Sequence, residues 1–228
     1  MREMTPEKKV LARALFNEGV FLDKSRSPDG AGFPLRLHDT DPDAPLSPYY
    51  LNLRTSGNTK PGPLEGTLLD MLGRALFNEA ERQRLRYRSV AGLPTAGTSL
   101  AQSFHLFCVT ECTDNPAVLI NMKKRKSGDF RIITPIPSRA SSLLLIDDVV
   151  TGAGSVYKAL HTFKPSGVFI NECLVVVDRE QGGVEKLKRQ GIYVHSLFTI
   201  TELVNFYLDE GLLKEEQAKE ILSYVHEN

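Results

Sequence analysis

The 228-residue chain lacks net charge: 28 Lys and Arg balance 28 Asp and Glu. Global attraction to nucleic acid or to an anionic membrane is therefore excluded, and anion binding must come from local clusters. Long apolar runs are also missing. The longest, such as Cys173–Val177, fall far short of the roughly 20 residues that span a bilayer. Residues 1–19, MREMTPEKKVLARALFNEG, interleave charges with apolar residues and have no continuous apolar stretch of the kind a signal peptide needs. Cysteines are few and odd in number: Cys108, Cys112 and Cys173. No second Cys/His pair at zinc-ligand spacing accompanies the first two, so all three read as reduced packing residues of a cytoplasmic protein. His38, His105, His161, His195 and His226 also lack metal-ligand spacing to one another, and each reads as structural or exposed. What remains, 41% hydrophobic and 25% charged, suits one globular domain with a sizeable core.

Residues 5–18 place Val10, Leu11, Ala14 and Leu15 on one helical face, with Thr5-Pro6 as a start signal and Gly19 as a stop. Residues 25–48 are rich in Pro, Asp, Ser and Gly, which predicts loop with one short strand, FPLRL. PYYLNL (48–53) predicts a strand, and a helical pattern runs from about Leu64 to Leu85. Strand-like segments RSVAG, AVLINM, SLLLIDD, FINECLVVVD and IYVHSLF then alternate with helices starting near Thr95, Gly152 and Gly183. Continuous apolar strands alternating with helices imply an α/β fold, with a parallel sheet covered on both faces. The final segment predicts one or two amphipathic helices packed on the sheet edge or on a partner subunit. The expected organisation is a single domain: an N-terminal part (1–60), an α/β core (61–200) and C-terminal helices (201–228).

One stretch carries chemistry. In LLLIDDVVTGAGSV (143–156), an apolar strand runs into Asp147 and Asp148, then turns through small residues into a helix. Two adjacent carboxylates at a buried strand end repel each other and cost desolvation. In such sheets ligands bind outside the carboxyl ends of the strands. The amides of the turn and the helix dipole favour a phosphate there, while carboxylates can accept hydrogen bonds from sugar hydroxyls. The combination suits a ribose phosphate. The competing reading is that Asp148 merely caps a helix and Asp147 is solvated.

LLLIDDVVTGAGS resembles the phosphoribosyl-pyrophosphate signature of the type I phosphoribosyltransferases. Four further segments, FPLRL with SPYYLNLRTSG, VAGLPTAGTSLA, VVVDREQGG and GIYVHSLFTITEL, resemble the orotate phosphoribosyltransferases in the same order. The resemblance covers roughly Phe33 to Leu203. It implies a central, mainly parallel sheet flanked by helices, with a small N-terminal hood. The implied chemistry is that of a glycosyltransferase in pyrimidine biosynthesis. Orotate and phosphoribosyl pyrophosphate would give orotidine 5′-monophosphate and pyrophosphate, with Mg²⁺ bound alongside the phosphoribosyl pyrophosphate. The implied assembly is a homodimer whose lid crosses to the neighbouring site, with small-molecule substrates and no nucleic-acid or membrane partner.

By the same resemblance, Asp147 and Asp148 hold the ribose hydroxyls and face the developing cation. Val149, Val150, Thr151, Gly152, Ala153, Gly154 and Ser155 wrap the 5′-phosphate, with Thr151 also near the base. Tyr50 and Leu51 pack on the base, though as bare residues they would more often be core. Arg179 grips the orotate carboxylate, as its planar fork allows; the bland alternative is a surface ion pair with Asp178 or Glu180. Arg36 stands where the family has lysine, and Ala96 stands in the pyrophosphate loop where many members carry one. The family lid begins Arg-Lys-x-x-Lys-Asp-His-Gly. Here NMKKRKSGD keeps Lys123 and Lys126 as catalytic candidates but replaces the arginine by Met122 and the Asp-His pair by Ser127-Gly128. Otherwise KKRK is a solvated basic loop. Residues 37–45 lengthen the loop between the first two family strands, as a shield or as inert chain. Two alternatives follow from the altered lid: a phosphoribosyltransferase for another base, or a catalytically weak regulator that binds phosphoribosyl pyrophosphate.

Overall fold

A computed structural model of the protein describes residues 4–35, 41, 43–111, 116–136 and 142–227. Arg36, His38, Cys112 and most of residues 37–45 lie outside the described residues.

Helix α1 (Pro6–Asn17) starts as its sequence dictates: the Thr5 side chain accepts from the Lys8 amide, and proline takes the first turn. Strands β1 (Phe21–Asp23) and β2 (Tyr49–Leu51) pair antiparallel, Phe21 opposite Leu51, and form the N-terminal hood. FPLRL forms no strand in its described part. Phe33 makes only an isolated antiparallel bridge to Ser47, because Pro34 brings no N–H to a ladder.

Helix α2 (Gly66–Arg82) leads to β3 (Ser89–Gly92) and α3 (Ala96–Glu111). Next come the short β4 (Val118–Leu119) and a separate hairpin, β5 (Met122–Lys124) and β6 (Phe130–Ile132). The long β7 (Ser142–Val150) is followed by α4 (Gly154–Phe163), β8 (Phe169–Asp178) and α5 (Gly183–Lys188). The chain closes with β9 (Tyr193–Thr199), α6 (Ile200–Asp209) and α7 (Glu215–Glu227).

The central sheet has five strands in the order β4-β3-β7-β8-β9, every pair parallel. This is the α/β architecture the alternating apolar strands imply. AVLINM was expected as one strand, but only Val118–Leu119 pair with β3, and Met122 already belongs to the hairpin. Successive side chains of a strand face opposite layers. Leu144 and Ile146 of β7 accordingly enter the core shared with α1, α2, α3, α6 and α7, while Leu143 and Leu145 enter the one covered by α4 and α5. Cys108 is buried in the first core and Cys173 in the second, both outside any disulfide.

The C-terminal segment forms two helices that pack on the chain's own N-terminal part. Tyr207 donates to the Ala12 carbonyl at 2.9 Å, and its ring lies 4.9 Å from that of Phe21. Thr199 and Glu202 close a reciprocal capping box at the start of α6, an arrangement worth about 1 kcal/mol. Among the described residues, no helix is long and apolar enough to cross a membrane.

Candidate active site

The carboxyl ends of β7 and β8, the hood and α7 enclose a cavity of about 620 Å³. It is lined by all nine residues from Asp147 to Ser155, and by Tyr50, Leu51 and Arg179. These positions, distant in sequence, were singled out from the sequence and are brought together here.

β7 carries its ladder through Val150, so the two aspartates are rigid strand residues. Asp147 Oδ1 accepts from the Asp148 amide at 3.0 Å, and Asp148 Oδ1 accepts from the Val149 amide at 2.9 Å. Asp147 is buried; loss of hydration, reinforced by the neighbouring Asp148 charge, pushes its carboxyl well above the usual carboxylate range. Beneath it, burial and then Asp147 itself push the Cys173 thiol up. The alternative of a helix cap fails on geometry. α4 is capped by Ala153, whose side chain has no acceptor for its first amides. Those amides are left for an anion, and the dipole of a ten-residue helix adds to them.

Two glycines bring backbone up to this edge. A Cβ on Gly97, at the start of α3, would lie 2.5 Å from the Ile146 carbonyl and 3.1 Å from Asp147 Oδ1. One on Gly183 would lie 2.4 Å from the Thr151 carbonyl. The β3–α3 turn and the start of α5 therefore buttress the aspartates and the turn at closest approach. Ala153 itself takes a left-handed φ of 70°, which costs a non-glycine residue about 1 kcal/mol.

Arg179 is buried, 8% exposed. Its Nε donates to the Tyr49 hydroxyl at 2.8 Å, one Nη donates to Ser47 Oγ at 3.3 Å, and the guanidinium lies 4.6 Å over the Tyr49 ring. No carboxylate among the described residues pairs with it. Glu180 instead accepts from the Thr201 amide, and Asp178 accepts from the Glu180 amide. The surface ion pair is thus replaced by a buried cation that faces a cavity and has no anion among the described residues. Burial raises the Tyr49 phenol despite the opposing pull of Arg179, which keeps Tyr49 a neutral acceptor.

Lys123, Lys126 and Ala96 do not line the cavity. Lys123 lies on β5 opposite Arg131, and Lys126 lies in the turn of the β5–β6 hairpin. The hairpin gives a physical reason for the departures from the family lid. Met122 and Phe130 are buried in the second core and anchor it, a place unsuited to arginine. Gly128 holds φ at 86°, its amide bonded to the Arg125 carbonyl and its own carbonyl accepting from Lys158 Nζ at 2.9 Å.

The cavity also includes residues that sequence reasoning missed. Arg54 donates to the Tyr50 hydroxyl at 2.7 Å, Gln181 has a buried Oε1 with no hydrogen-bond partner, and Tyr224 reaches in from α7. Arg54 and Gln181 stand inside the quoted segments SPYYLNLRTSG and DREQGG, three residues from Leu51 and two from Arg179. Tyr224 sits in an ordinary amphipathic helix and carries no local signal. His195 is held by Glu172 at 2.8 Å and His105 by the Ala117 carbonyl at 2.9 Å, both away from the cavity.

No protein-family model matches the chain. The orotate phosphoribosyltransferase of Saccharolobus solfataricus is 29% identical over 183 residues, covering 80% of this chain and 86% of that protein. Uridine 5′-monophosphate synthase of Bos taurus is 26% identical over 182 residues, covering 80% of this chain but only 36% of that longer protein. Among solved structures, the orotate phosphoribosyltransferase of Francisella tularensis superposes with a TM-score of 0.68 at 17% identity, covering 96% of this chain and 98% of that one. The fold is accordingly that of the type I phosphoribosyltransferases, and the chain's relatives in sequence include orotate phosphoribosyltransferases and longer uridine 5′-monophosphate synthases.

Proposed function

We propose that the chain is an orotate phosphoribosyltransferase, transferring the phosphoribosyl group of phosphoribosyl pyrophosphate to orotate with release of pyrophosphate. One observation carries the reading: a buried arginine, without a carboxylate partner among the described residues, shares a cavity with a strand-end aspartate pair and the turn that opens α4. A base bearing a carboxylate answers the first feature and a ribose phosphate the second. An uncharged purine leaves Arg179 buried and unpaired, which disfavours the reading with another base.

In this reading the turn from Val149 to Ser155 binds the 5′-phosphate, and the ribose hydroxyls donate to Asp147 and Asp148. The raised carboxyl of Asp147 holds a proton more readily in the free protein. Positive charge developing on the sugar is met by the Asp148 carboxylate beside it, so the attraction grows as the bond to pyrophosphate breaks. Arg179 and Tyr50 hold the base against the anomeric carbon.

Mg²⁺ would arrive bound to phosphoribosyl pyrophosphate, and it would supply neutralisation of the leaving diphosphate. The donor set suits an ion carried in on the substrate. Among the described residues no group of three or more His, Cys, Asp or Glu gathers to form a protein cage, while Asp148 offers one carboxylate beside the sugar position. Lys123 and Lys126 act on the pyrophosphate from the hairpin as a lid, reaching the neighbouring site of a cytoplasmic homodimer.

The test is direct. The purified chain is mixed with orotate, phosphoribosyl pyrophosphate and Mg²⁺, and orotate absorbance is followed. Loss of absorbance with stoichiometric pyrophosphate is expected. Binding of phosphoribosyl pyrophosphate without consumption of orotate overturns the assignment in favour of another base or of a regulator.

A further inference from the structure

The base side of the cavity has a wall drawn from the far end of the sequence. Helix α7 buries Ala218, Ile221 and Val225 in the first core. Two polar links clip it to the hood: Gln217 Nε2 donates to Asp23 Oδ1 at 2.9 Å, and Lys24 pairs with Glu220 at 2.5 Å. This docking turns Tyr224 into the cavity that holds Arg179 and Gln181. The Tyr224 ring meets the Tyr49 ring edge-on, 6.4 Å between centroids at 84°, and Tyr49 in turn carries the Arg179 guanidinium.

A carboxylate clamp alone does not orient a planar base. The ring can swing about the bond to its carboxyl group, and only one setting points the reacting nitrogen at the sugar. A second contact away from the carboxylate removes that freedom. An aromatic edge with a phenol, which can both donate and accept, is suited to the edge of a heterocycle that presents carbonyl and N–H groups. Tyr224 is half-buried, lines the cavity, and stands one aromatic ring away from the arginine. Resting on the orotate reading, we propose that Tyr224 contacts the bound base and sets its orientation, which makes α7 part of the active site.

Steady-state rates are measured for the wild type and for Tyr224→Ala, Tyr224→Phe and the exposed control Ser223→Ala, varying orotate and phosphoribosyl pyrophosphate separately, with unfolding midpoints alongside. Tyr224→Ala is expected to raise the orotate KM by about tenfold, with the phosphoribosyl pyrophosphate KM within about twofold. Tyr224→Phe recovers part of the loss, and Ser223→Ala matches the wild type. An orotate KM unchanged in Tyr224→Ala, or an equal rise in both KM values, overturns the inference. Should Tyr224→Ala not fold, Tyr224→Leu, which keeps apolar bulk but no ring or hydroxyl, decides by the same criteria. Wild type that consumes no orotate overturns the functional reading and this inference with it. Wild-type turnover with an indifferent Tyr224 overturns this inference alone.

Discussion

On the proposed reading the cavity has a sugar-phosphate half and a base half, and the two are built in opposite ways. The sugar-phosphate half is one uninterrupted stretch, Asp147 to Ser155, laid along the end of the central strand and buttressed by Gly97 and Gly183. The base half is collected from four places: Leu35, the Tyr50–Arg54 stretch, Arg179 with Gln181, and Tyr224. A continuous stretch on a five-stranded sheet inherits the rigidity of that sheet. A collected site depends on how a two-stranded hood and a terminal helix dock, through links such as Gln217 to Asp23. The chemistry common to a fold can therefore reside in the first half, while the identity of the base resides in the second.

Substitutions can break or sharpen this division. The largest effect is expected from Asp148→Asn in the rigid half: kcat falls by roughly 10²–10³, the range seen when one charge-stabilising group is removed. Orotate affinity should stay close to wild type, and equilibrium binding of orotate checks that. Arg179→Ala, in the collected half, should weaken orotate by on the order of 100-fold through loss of a charge-assisted bidentate pair, with phosphoribosyl pyrophosphate affinity unchanged by calorimetry. If both variants lose both substrates equally, the division is wrong.

Lys123→Ala probes a third region outside the cavity wall. It should lower kcat by about tenfold to a hundredfold with little change in either KM, since a lid lysine acts on the leaving group rather than on ground-state binding. Unchanged turnover removes the hairpin from the mechanism.

The smallest effect is on stability. Burial raises the Asp147 carboxyl, so the native state holds this proton more tightly than the unfolded state does. Its penalty is absent below the unfolded carboxylate range near pH ~4 and grows as pH rises through the folded value. Asp147→Asn should therefore unfold at a higher temperature than wild type at neutral pH, with the gap closing in acid. In a chain of this size each kcal/mol relieved corresponds to about 2–4 °C. A Tm difference independent of pH refutes the buried-charge account.

The same division explains what could be read in the sequence. The paired acids and the small-residue turn were legible because neighbours in sequence remain neighbours in the site, and because continuous apolar strands such as FINECLVVVD appear with the boundaries their pattern suggests. Arg179 was legible through DREQGG, although its burial against Tyr49 depends on the hood and on no local pattern. The β5–β6 hairpin is legible only in part: Met122 is expected in the strand AVLINM and the lysines in a lid or a basic loop, since MKK and FRI are three-residue strands whose alternation is too brief to register. Tyr224 was invisible for a different reason. Nothing along α7 distinguishes the tyrosine that faces a cavity from an ordinary partly buried helix residue, because the cavity is created by tertiary docking.

The backbone amide of Arg179 donates to the Val150 carbonyl at 3.1 Å, directly beyond the rung that pairs Val150 with Asp178. That bond makes the sheet a fixed ruler between the guanidinium and the phosphate turn. A slip of one residue would turn every side chain of β8 to the other face, so the spacing cannot be tuned by small steps without dismantling both cores. Any lineage of this fold that exchanges its base must leave the ruler alone and recut the movable parts around it, the hood and the last helix.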